Sequence, residues 1–248
     1  MLLDVVEEAR CPHQKQKLPI TAPFIEVERE ILVTLPTVES LLGDKLTAFA
    51  PTTVGVPLRL EGGKPGDPMQ IAKQMFDIGE LFNAAEDFAT VQTVYDAVFA
   101  LETEYRNHRF TRDAALRDTL AASLAFCTEA LKGDNPSADT QLLRDGWRRL
   151  SSHLVQIKFG LNQVRIAAAK SALLATALLA PPKEFSLKAV RFTGAPAQIE
   201  ALRTATMDSG PWQFANRIKA ANPEAFHFWH VAHQIARVLP DQALRQTT

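Results

Sequence analysis

Cysteine is nearly absent from this chain. There are two, Cys11 and Cys127, in no metal-binding or redox spacing, so a cysteine metal site and a redox pair are excluded and a reduced, cytoplasmic setting is expected. Long apolar runs are missing too. The apolar start at Met1 to Val6 is short, has no basic lead and meets Asp4 at once, so no signal peptide is read there. Ile166 to Ala180 carries Lys170 and is too short to cross a membrane, so no membrane partner is expected. Neither sign of charge dominates. A net charge of -1 excludes a generally basic nucleic-acid surface, although a local patch remains compatible with it. No fixed-period repeat or low-complexity tract breaks the pattern.

The 248 residues, 46% hydrophobic and 22% charged, are an ordinary globular composition, enough for one large domain or two modest ones. Residues 1–35 read as strands and turns. Leu2 to Val6 is a first strand, Cys11 to Pro19 a polar turn, and Phe24–Val27 and Glu30–Leu35 are further β-type runs. A helix capped by Thr37 then runs to Pro51. Thr52 to Asp67, rich in glycine and proline, reads as a long irregular loop, either an ordinary flexible connector or a segment that closes over a ligand. From Pro68 helices follow at about 68–85, 87–106, 111–131, 139–158 and 160–180. The apolar stripe Leu116, Leu120, Leu124, Cys127 makes Cys127 a buried residue rather than a reactive one. Beyond Pro181-Pro182, Phe185 to Phe192 alternates like a strand, and helices are expected around 196–206 and 211–237, the second broken at Asn222-Pro223.

Three groups of polar residues need a reason. In the first helix Val38, Leu41, Leu42, Leu46 and Phe49 form one stripe, and Lys45 falls inside it. A lysine in an oily seam must snorkel, meet a carboxylate, or face a phosphate in a cleft. In the next helix Ile71, Met75, Ile78, Phe82 and Ala85 face the core, while Lys73, Asp77 and Glu80 share the opposite side, where a solvated face with a weak ion pair is the ordinary outcome. Arg144, Arg148, Arg149, Lys158, Arg165 and Lys170 enrich two later helices in positive charge, as an ion-pair network or as contacts to the phosphates of an RNA. His227, His230 and His233 recur every three residues but drift round the helix and have no partner carboxylate or cysteine nearby, so they read as packing and capping groups.

The phrase Glu39-Ser40-Leu41-Leu42-Gly43-Asp44-Lys45-Leu46-Thr47-Ala48-Phe49-Ala50-Pro51-Thr52-Thr53-x-Gly55-x-Pro57, followed by Lys73-Gln74-Met75-Phe76-Asp77-Ile78, resembles the AbiEii-type nucleotidyltransferase toxins of abortive-infection toxin–antitoxin pairs. The resemblance covers roughly residues 1–180 and is strongest over 36–82. It implies a polymerase-β-like core beside a helical domain and Mg²⁺-dependent transfer of a nucleotidyl group from an NTP, in some relatives to the acceptor end of tRNA. It further implies that Lys45 meets the triphosphate, that Lys73 helps position it, and that Asp77 takes the proton of the acceptor hydroxyl.

The family's glycine-rich Gly-Gly-Ser/Thr turn and its Asp-x-Asp pair are not in this sequence; Gly62-Gly63 is followed by Lys64-Pro65. Met1 would fall inside the family's core, past both motifs. Asp4, in an apolar strand pattern, would be the remaining metal-assisting carboxylate. The expected fold is α+β and mostly α: a partial nucleotidyltransferase core over 1–50, a helical bundle over 51–182 and an α/β extension over 183–248. The expected function is nucleotidyl transfer from an NTP to an acceptor such as tRNA, under the control of a cognate antitoxin. The alternative is a shortened, inactive relative that only binds an antitoxin or a polynucleotide.

Overall fold

A computed structural model describes residues 10–21, 26–208 and 210–237. Asp4, the first strand and part of Phe24–Val27 lie outside them. The described chain is α+β and mostly helical, with one two-stranded sheet.

The strands β1 (Lys15–Pro19) and β2 (Leu32–Pro36) pair antiparallel, from Lys15 opposite Pro36 to Pro19 opposite Leu32. The first corrects the expected polar turn over Cys11 to Pro19. Its sequence looked unlike a strand because both faces of the hairpin are largely open to solvent, so backbone pairing, not apolar alternation, makes it. Bonds at Gln14 tie this hairpin to the first helix: Thr37 N donates to Gln14 O and Gln14 N to Ser40 Oγ, both at 2.9 Å, and Ser40 Oγ donates to Gln14 O at 3.3 Å.

Helix α1 (Val38–Ala48) starts where predicted. Thr37 is extended, and its hydroxyl accepts from Ser40 N at 3.2 Å. The segment after α1 is pinned along its length, unlike the free loop expected. Gly55 N reaches Ala50 O, Val56 N reaches Ala48 O and Leu58 N reaches Pro51 O, while Val54 and Leu58 are buried. From the other side Asp118 accepts from Thr52 N at 2.7 Å and Thr53 Oγ1 at 2.9 Å.

The bundle follows as α2 (Pro68–Ala84), α3 (Phe88–Tyr105), α4 (Arg112–Cys127), α5 (Ala138–Ser151) and α6 (Leu161–Leu179), then α7 (Pro196–Thr204), α8 (Ala215–Ile218) and α9 (Pro223–Ala236). Asp67, Asp87, Thr111, Ser137 and Asn222 supply the N-caps. Helix α1 packs on α2 and α3, and α6 is enclosed by α2, α4 and α9. The alanines of α6 let its neighbours close on several sides, and Val164 to Leu178 is buried almost throughout. One apolar cluster takes side chains from α1 through α9.

Close approaches between helices fall at glycines, Gly43 and Gly79 among them. A Cβ on Gly43 would lie 2.8 Å from Val91 O and 2.9 Å from Tyr95 N, so α1 touches α3 backbone to backbone. A Cβ on Gly79 would meet that of Ala167 at 2.9 Å, where α2 crosses α6.

Two further expectations fail. Helix α5 stops at Ser151 instead of near 158: Ser152 Oγ and the His153 ring engage Arg149 O, and Gln156 takes φ 67 in the irregular stretch that follows. Phe185 to Phe192 is not a strand. Phe185 meets Phe88 edge-on at 4.6 Å, Leu187 is buried, Val190 N bonds Ser186 O, and these turns satisfy the apolar residues without a ladder.

Candidate functional site

Lys45 leaves α1 between Leu42 and Phe49, both fully buried, and carries its ammonium out of the seam toward α2. There Asp77 Oδ2 lies 3.5 Å from Lys45 Nζ and 3.1 Å from Lys73 Nζ. The predicted residues Lys45, Lys73 and Asp77 are therefore one cluster, although they come from two helices. Asp77 and Lys45 are only 23% and 25% exposed, so the expected solvated face is half-covered at its centre; Lys73, at 46%, is the open member. Both ammonium groups use Oδ2, and Oδ1 has no partner among the described residues. The cluster sums to one positive charge. The covered seam strengthens its field over that of the same charges in open water.

One residue next to Lys45 was missed. Asp44 turns to the other flank of α1, 3.8 Å from His13 Nε2, and lines a cavity of about 280 Å³ with Glu102 and Arg106 of the α3 end. Burial pushes its carboxyl above the usual carboxylate range, against the pull of His13 and Lys45, and Glu102 adds to the rise. Arg106 pairs with Glu102 and also donates to Gly55 O. Charge contacts thus run from Lys73 on α2 through Asp77 to Lys45, and Asp44 beside it faces Glu102 and Arg106 near the end of α3 across the cavity. The sequence placed Asp44 beside Lys45 but gave no sign that α3 would stand across from it.

The later basic residues are mostly committed within the fold. Arg144, 2% exposed on its side chain, forms a two-pronged bridge to Asp134 at 2.6 and 3.0 Å and donates to Ala125 O and Thr128 Oγ1. Arg148 pairs with Glu129, which also accepts from Trp147 Nε1, and Arg165 donates to Glu129 O at 2.6 Å. This is the ion-pair reading of the patch; Arg149 and Lys158 remain exposed. The three imidazoles pack separately: His227 contacts Val190 O, His230 stacks on Phe226, and His233 meets the edge of Trp212.

A divalent cation does not fit Asp77, because two ammonium groups within 3.5 Å would repel it. Among the described residues no three His, Cys, Asp or Glu side chains are grouped to hold a metal. Among the described residues no helix is long and apolar enough to cross a membrane. Comparisons with known protein families, with curated proteins and with solved structures returned no match.

Proposed function

We propose that the chain is a nucleotidyltransferase-type protein that receives the triphosphate of an NTP at Lys45 and Lys73. The observation that carries this reading is the convergence of two lysines, from two helices, on one half-covered carboxylate. A surface ion pair needs one cation; a second ammonium, with the first threaded through an apolar seam, makes a site ready for a group of higher negative charge. The helix phrases that resemble the AbiEii-type toxins give the same two lysines the same task.

In this reading a polyphosphate draws both ammonium groups off Asp77. The released carboxylate, pre-positioned on α2, accepts the proton of the attacking hydroxyl. Mg²⁺ enters only as the counter-ion of the nucleotide, and no step is assigned to it. The acceptor would be a hydroxyl such as the 3′ end of a tRNA, and a cognate antitoxin would act by covering this face.

The test is transfer of label from α-labelled NTPs to RNA by the purified chain. Incorporation that Asp77→Asn abolishes supports the reading. Mg-NTP binding without incorporation moves the chain to the binding-module class. Neither binding nor incorporation rejects the proposal.

A further inference from the structure

Lys170 sits at the middle of α6 with its side chain 5% exposed, and the site above does not use it. Its Nζ lies 2.9 Å from Asn83 Oδ1, 3.4 Å from Gly79 O and 3.6 Å from Glu224 Oε1. The rings of Phe82 and Phe228 stand 5.7 and 5.4 Å from it. A cavity of about 280 Å³ opens in front of it. Phe76, Ile157, Phe159 and Ile166 give that cavity apolar walls, and Glu80 and Lys158 stand in its lining. The early end of α5 shapes it, since the irregular segment after Ser151 brings Ile157 and Phe159 to the wall.

This is more than a buried lysine holding helices together. An amine, a carboxylate 3.6 Å from it and a cavity of small-molecule size, with both apolar and polar side chains in its lining, occur side by side. Desolvation holds the ammonium below the ordinary lysine range, against the upward pull of Glu224 and Glu80, so the neutral nucleophile is within easier reach than on a surface lysine.

We propose that Lys170 is a reactive amine that condenses with a small aldehyde taken into this cavity. The ammonium passes a proton to Glu224, and the neutral Nζ adds to the carbonyl carbon. The carbonyl π bond breaks, and its oxygen takes up a proton released from the nitrogen, giving a carbinolamine. Glu224 then returns its proton to that hydroxyl, which departs as water and leaves an iminium on Lys170. Atoms and charge balance with no oxidant or reductant.

The test uses the full chain with butanal and cyanoborohydride, followed by intact mass and peptide mapping. The expected result is one reduced adduct, on Lys170, forming about tenfold or more faster than on exposed lysines away from the cavity, such as Lys64 and Lys183. Glu224→Gln should slow it while leaving its position unchanged, and Lys170→Met should remove it. Mapping the wild-type adduct decides the matter even if Lys170→Met fails to fold. Adducts scattered over exposed lysines with Lys170 unmodified would overturn the proposal, as would labelling of Lys170 no faster than of Lys64 and Lys183.

Discussion

Lys45 Nζ and Asp77 Oδ2 are 3.5 Å apart, although 32 positions separate them in sequence and the pinned loop from Pro51 to Asp67 lies between. The pair joins α1 to α2 at the place where Lys73 also reaches the same oxygen.

Its contribution to folding should be small. Both side chains keep about a quarter of their exposure, and pairs of that kind are worth up to about 1 kcal/mol. Lys45→Ala is therefore expected to lower the urea-unfolding free energy by no more than about 1 to 2 kcal/mol once loss of the aliphatic stem is included. A globally unfolded variant would show that the lysine is structural first.

Gly43 is a sharper structural position than the charge beside it. Its missing Cβ is replaced by the α3 backbone at 2.8 and 2.9 Å, and backbone cannot move aside as a side chain can. Gly43→Ala should cost about 1 to 3 kcal/mol in urea unfolding and weaken ligand binding at Lys45 by spreading α1 from its neighbours. Unchanged stability would mean that α1 and α3 do not approach so closely.

The two thiols should separate cleanly. Cys127 is fully buried, accepts from Trp229 Nε1 at 3.2 Å, and has its pKa pushed up to about 12 by burial. Cys11 is exposed. Under native conditions a thiol reagent should modify Cys11 alone, with Cys127 appearing only in denaturant. Two thiols reacting equally fast in the native state would contradict the core around α4 and α9.

Acid should loosen the C-terminal helices. Desolvation holds His227, His230 and His233 below the ordinary histidine value of 6.5, so the unfolded chain takes up protons first. Their contribution is intact above that value and is lost as pH falls through it toward the lower folded values. The melting temperature should drop over that window, and His227→Gln, which can still donate to Val190 O, should reduce the drop. A melting temperature that rises on acidification there would reverse the argument.

Much of this was legible in the sequence. The Thr37 cap and the periodic faces located the starts of α1 to α4 within a residue, while α1 and α4 end about three and four residues before the expected stops. The hairpin was half missed because two-sided exposure removes alternation from β1. Phe185 to Phe192 was misread because alternation over eight residues fits turns packed on an aromatic surface as well as it fits a strand. At the site, Lys45 was visible as a charge out of place. Its meeting with Asp77 is a matter of how α1 crosses α2, which no periodicity encodes. Lys170 left a comparable signal, one lysine in an alanine-rich run, yet only Asn83 and Glu224 on neighbouring helices give it meaning.

The most direct test of the central claim is a calorimetric titration of the purified chain with Mg-ATP, Mg-GTP, Mg-CTP and Mg-UTP, repeated on Lys45→Ala. The account predicts saturable heat with at least one nucleotide and affinity about tenfold or more weaker in the variant, the loss expected for one charge-assisted contact. No saturable binding of any of the four, or binding that Lys45→Ala leaves unchanged, would contradict it.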